Sequence, residues 1–479
     1  MLLRNTLLYL PAQIIGPFAQ LISMIVWTHV IDEPTLGVVT LVTATHELLQ
    51  IAFLTGWSQY ALRFLDRHQE NGEAERFYRT ENAVLLGSCF VQSTLAVAIL
   101  LTMIEPAAGA QLIAATVAYV CTRTLSLYIA DRARVRHQIG FYTLQVTLGP
   151  SLGLVIGLIL IRLIDRSATW PLAGYAIAQL VATVAVLPRL GCGRGLWPLD
   201  RAIVGQALHY GFPLIVGGAL GWIGLNAPRF IINQVSGVAA AGLFAVGYGL
   251  GQRAATFAAM LVTTAAFPLA VRSMERHGAR VAMRQLADNS ALLIAVLAPC
   301  ITGIFMLRQE FVHLLIAPPF QRVTLAVLPL SVLAGSIRSL RAHFVDQAFL
   351  LHNRTGLLAA ISAVDAALTV LLSFVFICNW GLSGGAGATV LAALVAATAS
   401  FSIAFSRFGL ALPLKHLAPV AMATAVMAEI LNILPEASSL AALAAHVVMG
   451  GAIYIITLGV IYAPALLKTF HLRRRQYES

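Results

Sequence analysis

The chain reads as an all-α integral membrane protein of about fourteen transmembrane helices, arranged as two six-helix lobes plus two extra C-terminal helices. Three observations predict this. Apolar residues make up 59% of the 479 residues and charged residues only 11%, with a mean hydropathy of +0.83. A soluble domain carries roughly 25% charged residues. Apolar runs recur along the whole sequence, each close to the about 20 residues that a helix needs to cross a bilayer. Between these runs, the cations fall in alternate gaps.

The runs predict helices over 5–30, 36–60, 82–104, 108–129, 140–161, 169–188, 209–232, 239–266, 288–307, 323–347, 356–378, 383–405, 413–433 and 440–463. They use up the chain and leave no space for a large soluble domain. The first run begins with a single cation, Arg4, and continues to residue 30 without a small-residue cleavage site. It therefore reads as an uncleaved helix, too long for a signal-peptide core.

Orientation follows from the cations. Twenty-five Arg and Lys fall on one set of alternate gaps, which includes both termini. Only Arg162, Arg166, Arg229, Arg308 and Arg322 fall on the other set, and Arg253 lies inside a helix. This bias places both termini in the cytoplasm. Lys468 and the run Arg473–Arg475 form a basic tail that anionic lipid heads attract. The net charge of +11 is thus a matter of topology, and no nucleic acid is expected.

Cys89, Cys121, Cys192, Cys300 and Cys378 are scattered without metal-ligand spacing. They read as small packing residues. No Walker loop or HExxH motif occurs, and neither an enzyme nor a cofactor is expected.

A weak internal repeat joins residues 33–47 (EPTLGVVTLVTATHE) to residues 238–252 (VAAAGLFAVGYGLGQ). Each copy follows a long apolar helix and a short turn, then places a Gly, Gly37 or Gly242, at the start of the next helix. The repeat divides the chain into an N-lobe (1–200), a C-lobe (201–408) and an appended helix pair with its tail (409–479). Parallel repeats of this kind are a transporter design, with the site between the copies.

Several short motifs accompany this layout. They are Asp32-Glu33-Pro34-Thr35-Leu36-Gly37; Gly56-Trp57-Ser58 followed by Arg63; Asn226-Ala227-Pro228-Arg229-Phe230; Ala241-Gly242-Leu243-Phe244; and Phe267-Pro268. In these the chain resembles the polysaccharide-transporter branch of the multidrug/oligosaccharidyl-lipid/polysaccharide (MOP) flippase superfamily. It departs from that pattern at Pro228, where an acidic residue commonly precedes the Arg. The resemblance implies a flippase that carries a lipid-linked oligosaccharide across the inner membrane by alternating access, for O-antigen, capsule or exopolysaccharide synthesis. The implied partners are a polyprenyl-pyrophosphate-linked glycan, membrane lipids, and the polymerase and glycosyltransferases of such a pathway. Two alternatives stay open: a cation-coupled drug or metabolite antiporter of the same superfamily, and a membrane-embedded polysaccharide polymerase or ligase. The antiporters typically have twelve helices, and the enzyme would need an external catalytic loop that this sequence does not offer.

Intramembrane charge costs about 2.5–3.5 kcal/mol per residue on insertion scales, so charged residues inside helices are the candidates for the site. Arg253 is expected to contact pyrophosphate, because guanidinium gives bidentate bonds to phosphate oxygens. Glu47 with His46 is read as a coupling pair, with a structural Glu47–Arg253 ion pair as the alternative. Arg338 and Arg341, three residues apart on one helix face, either receive the head group or anchor the helix end by snorkelling. Asp365 is either a cavity residue or the partner of an Arg on the 323–347 helix. Asn226 and Arg229 either line an external vestibule or, for Arg229, anchor the interface. Glu429 reads as interfacial and His446 as a packing residue.

Overall fold

A computed structural model describes residues 2–136, 138–187, 195 and 198–477. Cys192, Arg189 and Arg194 lie outside the described residues, as do the side chains of Arg4, Lys468 and Arg473–Arg475. Among the described residues every regular element is helical. In chain order these are α1 (Leu2–Val30), α2 (Glu33–Gln50), α3 (Gly56–Glu70), α4 (Ala74–Ile99), α5 (Ala110–Val135), α6 (Ile139–Leu163), α7 (Thr169–Val186), α8 (Arg201–Ser236), α9 (Val238–His277), α10 (Ala279–Met306), α11 (Arg308–Leu315), α12 (Pro318–Leu340), α13 (Asp346–Leu351), α14 (Thr355–Phe408), α15 (Leu414–Ile433) and α16 (Leu440–Tyr477). Single π-helical turns at Ile51–Thr55 and Arg341–Val345 join α2 to α3 and α12 to α13, and a third, Leu100–Ile104, ends α4.

Among the described residues, eleven helices are long and apolar enough to cross a membrane. One of them, α14, is two crossings. Its 54 residues would run about 80 Å if straight, against a hydrocarbon core of about 30 Å. At Gly381 the backbone takes φ 63° and ψ −143°, a region essentially restricted to glycine. There the chain turns back, so that a Cβ on Gly384 would strike the carbonyl of Phe376. With α1 and α9 added, the described helices supply the fourteen passes expected from the sequence. Large apolar side chains such as Phe90, Leu371, Phe374 and Val448 stand exposed, as lipid-facing residues do.

Several helices overrun their predicted ends on the Arg-rich side. α3 reaches Glu70, α9 reaches His277, and α4, α8 and α10 start at Ala74, Arg201 and Ala279. Mean hydropathy ends where charges begin, but helical periodicity continues. In α3, Trp57, Tyr60, Ala61, Leu65 and His68 are buried while Arg63, Asp66 and Arg67 are exposed, an amphipathic pattern. α2 starts at a cap, where Asp32 accepts from the backbone N–H of Thr35 at 3.1 Å, satisfying one of the donors that a helix start leaves open.

By internal contacts the chain forms two compact units: Met1–Val246 with Ala366–Gly385, and Gly247–Asp365 with Ala386–Ser479. In the first unit, the repeat glycines meet each other. A Cβ on Gly37 would overlap the carbonyl of Val238, and a Cβ on Gly242 would overlap that of Glu33. The pairs 33–242 and 37–238 are what a local two-fold would generate from equivalent helices, and no residue larger than glycine fits the crossing. Further along, α3 crosses α8 at Gly56 and Gly211, again backbone on backbone. An aromatic core of Trp57, Tyr60, Phe77 and Tyr128 packs beside it. Within that core, Glu81 is buried against Arg132 and Tyr128, and the indole N–H of Trp57 donates to the Tyr128 hydroxyl at 3.3 Å.

In the second unit, Leu286, Leu293, Phe344, Phe349, Ile361 and Ala396 share one core. α15 and α16 pack through Met427, Leu431, Leu443 and Tyr454. The Tyr454 hydroxyl donates to the carbonyl of Ala295 at 2.8 Å, which ties α16 to α10.

Candidate functional site

A cavity of about 410 Å³ opens in the first unit among α2, α5 and α8. Helical periodicity decides which side chains reach it. α2 contributes His46, Glu47 and Gln50, with Ile51 following in the π-helical turn. α5 contributes Tyr119, Arg123 and Leu127, spaced by four. α8 contributes Gly218, Gly221, Trp222, Leu225 and Asn226. Residues three and four apart share a helix face, so each helix lines the cavity with one stripe. The volume falls within the range of small-molecule sites, and the mixture of apolar wall and few polar groups is typical of them.

A buried hydrogen-bond chain backs the wall. The Thr124 hydroxyl donates to Gln92 Oε1 at 3.2 Å, and Gln92 Nε2 donates to Gln50 Oε1 at 3.4 Å. Because the Thr124 proton is committed to Gln92, the 3.0 Å contact between His46 Nε2 and Thr124 Oγ1 has the imidazole as donor. The His46 ring also meets Tyr119 edge-on, with centroids 5.8 Å apart. His46 is therefore fixed, and only 1% exposed. On the opposite side the indole N–H of Trp222 donates to the carbonyl of Ala44 at 3.0 Å, which ties α8 to α2. Arg229 donates to Asn226 Oδ1 at 3.2 Å.

Two charges face this cavity without an ion pair. Among the described residues neither Arg123 nor Glu47 has an oppositely charged side chain within 4 Å. Glu47 is exposed and Arg123 half-buried.

The expected site residues thus separate into groups. His46, Glu47 and Asn226 come together in the first unit, with Arg229 hydrogen-bonded to Asn226. Arg253 lies half-buried in α9, in the second unit. Arg338, Arg341 and Asp365 form a second cluster, also in the second unit. Arg338 grips Asp365 with two bonds, Nε to Oδ2 at 3.2 Å and Nη2 to Oδ1 at 2.9 Å. Arg341 Nη1 donates to the same Asp365 at 3.1 Å, and its Nε lies 3.3 Å from Asp346. Ser400 donates to the other oxygen of Asp346 at 2.6 Å. Of the two readings for Asp365, the geometry is that of a partner for the Arg residues of α12 and the turn after it. Glu429 is exposed on α15, and His446 is buried on α16.

Arg123 was not singled out from the sequence; it counted there among the cations that set topology. Its four-residue spacing from Tyr119 and Leu127 inside the predicted 108–129 helix is the signal that marks it as a helix residue. Gln50, Gln92, Thr124 and Trp222 carried no charge to draw notice.

The family model described as "Polysaccharide biosynthesis protein" matches residues 2–274, more than half of the chain. Among solved structures, the chain is similar to the lipid II flippase MurJ in an inward closed conformation, with 11% identity and a TM-score of 0.76 over 97% of this chain and 100% of that one. It is similar to a mutant form of the MATE transporter VcmN of Vibrio cholerae, with 14% identity, a TM-score of 0.56, and coverage of 84% of this chain and 97% of that one. A MOP superfamily transporter from Pyrococcus furiosus matches at 16% identity and a TM-score of 0.54, over 85% of this chain and 95% of that one. No curated protein sequence matches the chain significantly. Fold, membrane passes and family agree: the chain is a multi-pass integral membrane protein that belongs to the polysaccharide biosynthesis protein family, with the fold of the MOP transporters.

Proposed function

We propose that the chain is a flippase, which moves a polyprenyl-pyrophosphate-linked sugar from the cytoplasmic to the periplasmic leaflet of the bacterial inner membrane by alternating access. The observation that carries this reading is the cavity among α2, α5 and α8, where the Arg123 guanidinium has no carboxylate partner among the described residues, within membrane-spanning helices. An intramembrane cation is costly, and a phosphate oxygen is the partner that guanidinium geometry suits best. The family's link to polysaccharide synthesis and the likeness to a lipid II flippase support a lipid-linked sugar as cargo. The alternate cation bias of the sequence supports cytoplasmic termini. Arg253, on α9, is the second unit's candidate for phosphate contact.

The test is transbilayer movement in proteoliposomes. Purified chain is reconstituted with a fluorescent polyprenyl-diphosphate sugar, and a membrane-impermeant quencher reports the exposed leaflet. The reading expects protein-dependent movement of the label to the far leaflet. Movement no faster than in protein-free vesicles would overturn it. Elongation or transfer of the glycan by the protein alone would instead favour a polymerase or ligase.

A further inference from the structure

The cavity holds one cation and one anion that do not neutralise each other. Arg123 on α5 and Glu47 on α2 both line it, separated by more than ion-pair distance. A pocket built for bare diphosphate gains from cations alone. A carboxylate in the same cavity repels phosphate, and an ionised carboxylate only accepts hydrogen bonds. Its presence therefore calls for donors on the ligand. His46 offers Glu47 no such donor, because its Nε2 proton goes to Thr124. Trp222, its N–H bound to Ala44, turns only hydrocarbon to the cavity.

A phosphate that needs a cation, hydroxyls that need an acceptor, and an apolar ring face occur together where a sugar joins its phosphate. We propose, on the flippase reading above, that this cavity seats the phosphate–sugar junction of the lipid-linked substrate. Arg123 takes the phosphate oxygens, Glu47 accepts hydrogen bonds from hydroxyls of the first sugar, and Trp222 covers an apolar face of its ring. Glu47 is then a specificity residue that distinguishes a glycosylated carrier from the bare carrier lipid.

Binding to purified chain in nanodiscs separates the two contacts. The probes are polyprenyl diphosphate and polyprenyl diphosphate glucose. Glu47→Gln is expected to weaken the glucose-bearing probe by about tenfold, the loss of charge assistance in a hydrogen bond that the amide oxygen still accepts, without weakening the bare diphosphate. Arg123→Gln is expected to weaken both probes alike. Equal loss of both probes in Glu47→Gln, or loss of neither, would overturn the junction assignment while leaving a flippase in place. Wild-type protein that binds neither probe would overturn the flippase reading, and the junction with it. A competition on wild-type protein decides the matter without any variant. Glucose 1-phosphate is expected to displace the glucose-bearing probe at about tenfold lower concentration than inorganic phosphate, about the worth of one good hydrogen bond. Equal potency would contradict the assignment.

Discussion

Two charged clusters, one in each unit, are built on opposite plans. In the second unit, Arg338, Arg341, Asp346 and Asp365 hold two positive and two negative charges within 3.3 Å contacts, and Ser400 supplies a further donor. All four charged side chains are nearly inaccessible. In the first unit, Arg123 and Glu47 share a cavity and pair with no opposite charge among the described residues. Removing one partner of a buried ion pair strongly destabilises a protein, so the closed cluster is expected to serve the fold. A charge open to a cavity gives the fold no pairing energy and leaves a place for a ligand of opposite charge. Pairing is the difference: Arg338 and Arg341 are held by carboxylates, as Arg132 is by Glu81 in the first unit, whereas Arg123 and Glu47 stand open and are proposed to serve binding.

The largest effect is expected at Asp365. Asp365→Ala removes the acceptor that Arg338 and Arg341 share, and should cost about 3–5 kcal/mol, seen as a large drop in thermal midpoint of the detergent-solubilised protein and in its yield. An unchanged midpoint would show that the closed cluster is not structural. Ser400→Ala should cost about 1.5–3 kcal/mol, the worth of a hydrogen bond to a charged group, measured the same way. Gly37→Leu, at the backbone crossing with Val238, should destabilise by about 1–3 kcal/mol through overpacking. Gly221→Leu meets nothing within 4 Å of its Cβ; it should leave the thermal midpoint in place while filling the cavity and abolishing substrate binding. The smallest stability effect is expected at Arg123→Ala and Glu47→Gln, within about 0.5 kcal/mol of wild type. A collapse of either variant would place its charge in the structural class.

Much of this was legible in the sequence because a bilayer imposes a simple rule. Every backbone polar group in lipid must be satisfied within a helix, so apolar runs translate directly into passes, and the break between 378 and 383 marked the Gly381 turn. The helix ends were less legible. α3 and α9 continue into charged, amphipathic turns, where hydropathy is blind but the 3.6-residue period persists. Pairing was partly legible: Arg338 and Arg341 share a face by spacing, and an Arg on the 323–347 helix was one of two partners open to Asp365. The cavity was half visible. Glu47 and His46 stand out as polar residues in an apolar helix, and Asn226 lies in a motif. Arg123 was hidden by its neighbours Arg132, Arg134 and Arg136, which made it look like part of a cytoplasmic cluster. Depth in the membrane depends on where α5 begins, and sequence places that only to within a few residues.

Arg123 is proposed to serve the ligand and not the fold. The direct measurement is the rate of transbilayer movement of a fluorescent polyprenyl-diphosphate sugar in proteoliposomes, for wild type and Arg123→Ala at equal amounts of folded protein. Wild type is expected to move the label and Arg123→Ala to slow it at least about tenfold, the rate equivalent of about 1.4 kcal/mol, with no change in thermal midpoint. Transport at the wild-type rate by a folded Arg123→Ala protein would contradict it.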